Sequence, residues 1–334
     1  MTKQPLILAV TGPTAAGKTG LAMYLADHLP IELINMDSAQ IYRDMNIGTA
    51  KITPLEQQRY PHHLMDICSP QDSYSAARFA EDVTRLVPLI NARGNLPLVV
   101  GGSLLYYKAL IDGLAKLPAA DEALRLELHN IIASQGPQIL YDELARIDPQ
   151  SAAHIQGQDT RRLVRFIEIA RLTGRPPSEL FAEQKQQKTQ PKNRQGSPWQ
   201  FFHITFFPDD RAWLHQRIEQ RFDLMLAAGF VDEVKQLRQK YQLDLSKPSM
   251  RCAGYRQIWE YLEGRYDNLP ARKNNKPGNT ASQEMRDRGI FATRQLAKRQ
   301  LTWLRKIPAD ITIDPAKPFT RDAILKKVQS RLPV

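Results

Sequence analysis

The chain has 334 residues, 42% hydrophobic and 24% charged, which excludes wholesale disorder and leaves room for about two domains. No apolar run approaches the roughly 18 residues of a membrane helix, and Met1-Thr-Lys-Gln-Pro leads directly into LILAV without a signal-peptide core. Two cysteines, Cys68 and Cys252, make neither a disulfide framework nor a metal knuckle, so the sequence reads as soluble, intracellular and cytoplasmic.

In chain order, Leu6–Val10 is a short buried strand, Gly12–Lys18 a turn and Leu21–Leu29 a helix. Ile31–Met36 is a second buried strand, Phe79–Asn91 a helix, and Leu96–Val100 a third strand closed by Gly101-Gly102. Buried strands alternating with helices predict a parallel sheet covered on both faces. From Asp121 the pattern is helical only: Glu122–Ala133, Pro137–Ile147 and Thr160–Leu172, the last stopped by Gly174. Glu183–Ser197 is polar and aperiodic, which predicts a mobile loop. Trp199–Phe207 returns to strand, followed by helices at Arg211–Ala228, Val231–Tyr241, Gly254–Leu262 and Thr293–Lys306. Asn268–Glu284 predicts a surface loop that contributes little to any site. The expected domains are an α/β core starting at 1–120, a helical insertion at 121–198, and a return to the core with a helical, basic part at 199–334.

Charge is divided unevenly. Residues 1–157 carry 12 basic and 16 acidic side chains, net −4, whereas residues 158–334 carry 34 and 19, net +15. A basic surplus confined to one half points to a polyanion surface, with nucleic acid the leading candidate. A plain solvated surface is the competing reading.

Gly12-Pro13-Thr14-Ala15-Ala16-Gly17-Lys18-Thr19 fits G-x-x-x-x-G-K-[ST] between a strand and a helix. Backbone N–H groups of such a loop cradle phosphate oxygens, Lys18 adds a point charge, and the Thr19 hydroxyl can ligate Mg²⁺. The fold class is therefore α/β, a P-loop NTPase-like parallel sheet with a helical insertion and a helical C-terminal part. Asp37-Ser38-Ala39-Gln40 falls at the carboxyl end of the second strand, where open α/β sheets bind ligands. Asp37 can serve as a general base, hold Mg²⁺ through water, or simply cap a turn. The third strand ends in Gly101-Gly102-Ser103 and not in the acid of a hydrolytic ATPase, and Ser103 can donate to a substrate oxygen.

The basic half holds Arg161, Arg162 and Arg165 in about one helical turn, and Arg217 with Arg221 as an i,i+4 pair. Two further stretches, Arg251–Arg256 and Lys298–Arg305, interleave basic and aromatic side chains as nucleic-acid surfaces do.

GPTAAGKT, DSAQIYRDMNIGTAK, PHHLMDI and GGSLLYYKAL, followed by DTRRLVRFIEIARLTGRP, RCAGYRQIWEYLEG and KRQLTWLRK, resemble the tRNA dimethylallyltransferases, in order and over nearly the whole chain. Ser103 stands where a Thr is usual, and Asn268–Glu284 exceeds the pattern's length. The resemblance implies Mg²⁺-dependent transfer of a prenyl group from dimethylallyl diphosphate to N6 of the adenine 3′ of the tRNA anticodon. It implies that Gly12 through Thr19 hold diphosphate, with Arg217 or Arg221 added to the clamp and Thr19 on the metal. Asp37, Lys18, Thr19, Ser103 and Arg125 are the implied catalytic set. Asp37, Ser38, Ala39, Gln40, Ser103 and Arg125 would border the RNA. The remaining implied RNA contacts are Arg161, Arg162, Leu163, Val164 and Arg165, then Arg251, Cys252, Ala253, Gly254, Tyr255 and Arg256, and lastly Lys298, Arg299, Gln300, Leu301, Thr302, Trp303, Leu304 and Arg305. The insertion would close over the anticodon stem-loop of a tRNA bound to a monomer. The rival readings are a small-molecule P-loop kinase, which has no need of the basic half, and a P-loop RNA-dependent ATPase, which should end a core strand in an acid.

Overall fold

A computed structural model of the chain describes residues 4–113, 117–155, 159–189, 198–267 and 280–332. Contacts divide it into two compact units, one of Met1–Ile111 with Pro198–Val334 and one of Asp112–Ser197.

The first unit is built on a six-stranded sheet: β1 (Leu6–Thr11), β2 (Ile31–Asn35), β3 (His62–His63), β4 (Leu96–Gly101), β5 (Gln200–Phe206) and β6 (Ile311–Ile313). Spatial order is β3-β2-β4-β1-β5-β6, and every pairing is parallel. Parallel strands must be covered on both faces, and the side chains comply. Ile7, Ala9, Ile34 and Val99 face one core layer with Phe79, Val83 and Val87, while Leu8, Val10, Leu33 and Leu98 face the other with Leu21 and Leu25. The helices on this unit are α1 (Lys18–His28), α2 (Pro54–Arg59), α3 (Ala76–Ala92) and α4 (Leu104–Asp112) before the second unit. They include α10 (Arg211–Ala227), α11 (Phe230–Lys240), α12 (Tyr255–Leu262), α13 (Ala281–Leu304) and α14 (Arg321–Gln329) after it.

The second unit holds α5 (Glu122–Gln135), α6 (Gln138–Ile147), α7 (Pro149–Ala153), α8 (Thr160–Thr173) and α9 (Pro177–Thr189). Its own small core contains Leu128, Leu140, Leu144, Leu163, Val164 and Ile167. Side-chain caps start three of these helices: Asp121, Asp148 and Asp159 accept from Leu124, Ser151 and Arg162 N–H groups.

Three expectations change. The polar stretch from Glu183 is helical as far as Thr189, because Glu, Gln and Lys favour helix even without an apolar stripe, and Arg175 reaches along it to Glu179 and Glu183; residues 190–197 lie outside the described residues. Of Asn268–Glu284, residues 268–279 also lie outside them. Residues 281–284 are the first turn of α13, capped by Thr280, and Glu284 is buried against Arg288. The C-terminal part is not purely helical, since β6 adds a strand too short to show a period, and α14 covers it with Ile324, Leu325 and Val328.

Candidate active site

Because all strands run parallel, the segments following β1, β2 and β4 meet at one edge of the sheet. The phosphate loop turns into α1 through Gly17 at φ 97°, where no neighbour lies near an added Cβ, so the requirement for glycine is conformational. At Gly101 it is spatial: a Cβ there would stand 2.0 Å from the carbonyl oxygen of Met36. That close approach lets Met36 N–H donate to Val100 O and Met36 O accept from Ser103 N–H, which locks the Asp37 segment onto the end of β4.

Asp37 Oδ1 accepts from Ala39 N–H at 2.9 Å, and Asn35 Oδ1 accepts from Asp37 N–H at 3.2 Å. The turn-capping role is thus filled by one oxygen, while Oδ2 takes no hydrogen bond among the described residues. Ser103 Oγ accepts from Ser38 N–H at 2.8 Å and lies 3.0 Å from Ser38 Oγ. Gln40 donates to the carbonyls of Thr49 and Ala50 and so spans its own loop.

Lys18 Nζ donates to Pro13 O at 2.8 Å, curling back over the loop. Burial pulls its pKa down to about 8; the Asp37 carboxylate opposes that fall and the Arg221 charge adds to it, so desolvation wins. Arg217 Nε donates to Ala15 O at 2.9 Å with its guanidinium over Trp213. Arg221 is pulled below the usual guanidinium range, first by burial, then by Arg217, against the pull of Asp37. Arg217 thus touches the loop directly, while Arg221 acts on Lys18 through its charge, and both stay candidate clamps. Neither forms an ion pair among the described residues. Lys18 and Arg217 both touch the loop, the charges of Asp37 and Arg221 act on Lys18, and such an excess of cations invites an anion.

Burial, helped by the charge of Asp37, pushes the Cys252 thiol up to about 12, which favours its neutral form. Arg221 also lines a cavity of about 730 Å³ whose apolar wall includes Ile47, Ala50, Ile52, Pro54 and Met225.

Other residues from the sequence are distributed differently. In the helical unit, Arg125 and Arg165 both pair with the buried Glu168, at 2.8 and 2.5 Å, and are structural partners there. Arg161 is exposed, and Arg162 lies 3.8 Å from Asp159. Leu163 and Val164 are buried in that unit's core and present no surface to RNA, a correction that follows from their place on the apolar stripe of α8. Tyr255 is likewise buried, its hydroxyl on Glu233, with Gly254 packed against Phe230. Ala253 is partly covered, Arg251 and Arg256 are exposed, and Arg256 pairs with Glu260. On α13, Leu301 and Leu304 are buried, whereas Lys298, Arg299, Thr302, Trp303 and Arg305 are exposed. Gln300 is buried too, bonded to the phosphate loop and to the turn after β4. Its apolar-stripe spacing with Ala297, Leu301 and Leu304 was the available signal. Glu233 carries no motif signal, yet it holds residues 46–48.

A phosphate loop at the carboxyl end of a parallel sheet, with Lys18 and Arg217 bonded to its carbonyls, makes an anion site of the P-loop NTPase-like kind. Residues 40–307 match the IPP transferase family. The chain is 48% identical over 325 residues to a tRNA dimethylallyltransferase of Aromatoleum aromaticum, covering 96% of this chain and 95% of the relative. It is 48% identical over 328 residues to one of Dechloromonas aromatica, covering 98% of each. Among solved structures, the tRNA isopentenylpyrophosphate transferase of Bacillus halodurans superposes with TM-score 0.64 at 35% identity, over 98% of this chain and 95% of that one. A eukaryotic dimethylallyltransferase acting on tRNA superposes with TM-score 0.75 at 26% identity, over 99% and 81%. The chain belongs to the IPP transferase family, the tRNA dimethylallyltransferases. It is a transferase with a P-loop NTPase-like fold, and neither the kinase nor the RNA-dependent ATPase reading is favoured. No helix among the described residues is long and apolar enough to cross a membrane.

Proposed function

We propose that the protein transfers a dimethylallyl group from dimethylallyl diphosphate to N6 of the adenine 3′ of a tRNA anticodon, as a cytoplasmic monomer. The observation that carries this reading is the cluster of Lys18, Arg217 and Arg221, without ion-pair partners among the described residues, near Asp37 at the carboxyl end of the sheet. Lys18 and Arg217 each spend one N–H on a loop carbonyl and keep their other donors for diphosphate oxygens. The apolar wall beside Arg221 suits the five-carbon tail of the donor.

In the reaction N6 attacks the first carbon of the prenyl group, the bond from that carbon to the diphosphate oxygen breaks, and the N6 proton leaves. Asp37 Oδ2 accepts that proton, while Oδ1 stays on Ala39 N–H and keeps the carboxylate oriented. The cations stabilise the negative charge that grows on the departing diphosphate. Ser38 and Ser103 border the extruded base, which must leave the stack for N6 to be reached. Exposed Arg161, Arg162, Lys298, Arg299, Trp303 and Arg305 grip the RNA backbone and bases.

The residues fit Mg²⁺ of the kind that phosphates themselves help to hold. Thr19 offers an exposed hydroxyl on the first turn of α1, and no group of three His, Cys, Asp or Glu able to hold a metal occurs among the described residues. Bound there through Thr19, the ion would neutralise charge on the leaving group.

The test is incubation with dimethylallyl diphosphate, Mg²⁺ and unmodified tRNA, followed by mass analysis of the anticodon-loop nucleosides. One adenosine should gain a single dimethylallyl group in place of a hydrogen. An unmodified loop, or diphosphate released without prenylated nucleoside, refutes the reading.

A further inference from the structure

Gln300 is 9% exposed, although the residues before it on α13, Lys298 and Arg299, are exposed. Its amide makes two bonds of 2.9 Å: Oε1 accepts from Thr14 N–H, and Nε2 donates to Gly102 O. Both partners are backbone groups of fixed polarity, so only a side chain with an acceptor and a donor on one plane satisfies them together. Thr14 belongs to the phosphate loop. Gly102 precedes Ser103, which holds Ser38 beside Asp37. The amide is therefore the link between the half of the site that faces the leaving group and the half that faces the acceptor.

Two further observations sharpen this. A Cβ on Gly102 would lie 2.3 Å from Gln300 Nε2, so the turn leaves just the space the amide occupies. Phosphate loops ordinarily aim their N–H groups at the anion. Here the Thr14 N–H is taken by Gln300, so that corner of the loop is shaped by the protein before any anion arrives.

We propose that Gln300 is a positioning residue for prenyl transfer: it fixes the spacing between the phosphate loop and the Gly102–Ser103 turn, and so between the prenyl carbon and N6. This rests on the reading above, in which the loop holds diphosphate and Asp37 faces the adenine amine. Displacement reactions need the reacting atoms aligned at near-contact, and a misplacement of about 1 Å costs on the order of 10²-fold in rate.

The experiment compares Gln300→Met, which keeps the length and loses both bonds, with Gly102→Ala, which pushes the amide off from the opposite side, and with the double variant. Melting profiles confirm that each is folded. Gln300→Met should lower kcat by about 10²-fold while KM for dimethylallyl diphosphate and for tRNA stay within roughly threefold. Gly102→Ala should show the same split, and the double variant should be no slower than the worse single one, since both remove one link. Gln300→Met at the wild-type rate makes the residue a packing element and overturns the inference. So does a loss confined to KM for tRNA, which would make α13 a plain RNA contact, and so do defects that multiply in the double variant. Should one variant fail to fold, the kcat-against-KM split of the other decides. A wild-type enzyme that transfers no prenyl group refutes the proposed function itself, whereas an active wild type with a normal Gln300→Met refutes this inference alone.

Discussion

Tyr255 donates its hydroxyl hydrogen to Glu233 across 2.6 Å, between two buried side chains of α12 and α11. The same carboxylate accepts from the N–H groups of Asn46, Ile47 and Gly48, at 2.9, 2.6 and 3.2 Å. Two stretches that carry the family resemblance, DSAQIYRDMNIGTAK and RCAGYR, are thus joined through a glutamate that belongs to neither.

Glu233→Gln should destabilise the protein by about 2–4 kcal/mol, because an amide cannot accept all four bonds and a buried N–H is left without a partner. Tyr255→Phe removes one donor and should cost about 1–3 kcal/mol. Urea unfolding of both variants measures this. A Glu233→Gln midpoint equal to wild type would show that residues 46–48 find other partners.

Lys18 gives the account a pH signature. Its folded pKa, about 8, lies below the ordinary lysine value of 10.5 because burial penalises the charge. The free protein is therefore half deprotonated at this group near pH 8, and affinity for a prenyl diphosphate should fall as pH rises from 7 to 9.5. The stability linkage has the opposite sign: the unfolded chain holds more protons between about 8 and 10.5, so this group's penalty on the fold relaxes as pH rises through that window. Calorimetric titration with a non-reactive prenyl diphosphate analogue checks the binding arm. Lys18→Ala should bind it weakly and without the pH slope, lose transfer by orders of magnitude, and leave tRNA binding nearly intact. Equal loss of tRNA affinity contradicts this division.

The exposed part of the basic sequence stretches is narrower than the stretches themselves. Arg161, Arg162, Lys298 and Arg299 are exposed, whereas Arg165 is paired with Glu168. Alanine at each phosphate-contacting residue of the first four should flatten the log–log salt dependence of tRNA affinity by roughly 0.7–0.9. Arg165→Ala should instead act on stability. Unchanged slopes for all four would make them solvated surface.

What the sequence disclosed follows physical locality. The phosphate loop and Asp37-Ser38 were legible because a tight anion cradle and a strand end impose residue types at fixed spacing. The β1 and β4 strands were legible as apolar runs, and β2 and β5 as largely apolar stretches between helices. By contrast, β3 spans two histidines and β6 three residues, too few to display a period. Gln300 looked like one more polar residue in KRQLTWLRK, since its partners Thr14 and Gly102 lie 286 and 198 positions away. Leu163, Val164, Leu301 and Leu304 are buried because each lies on the apolar face of a helix whose exposed basic residues point the other way.

Single-turnover transfer by Asp37→Asn separates the two roles open to Asp37, acceptor of the N6 proton or neighbour of the metal. Asn can keep the Ala39 N–H bond that Oδ1 makes, so the turn survives while the base is lost. The rate should fall by about 10²–10⁴-fold, with binding of dimethylallyl diphosphate and tRNA almost unchanged and no rescue by added Mg²⁺. If the substitution instead weakens Mg²⁺-dependent diphosphate binding and high Mg²⁺ restores the rate, Asp37 belongs to the metal's surroundings and the assignment as base is contradicted.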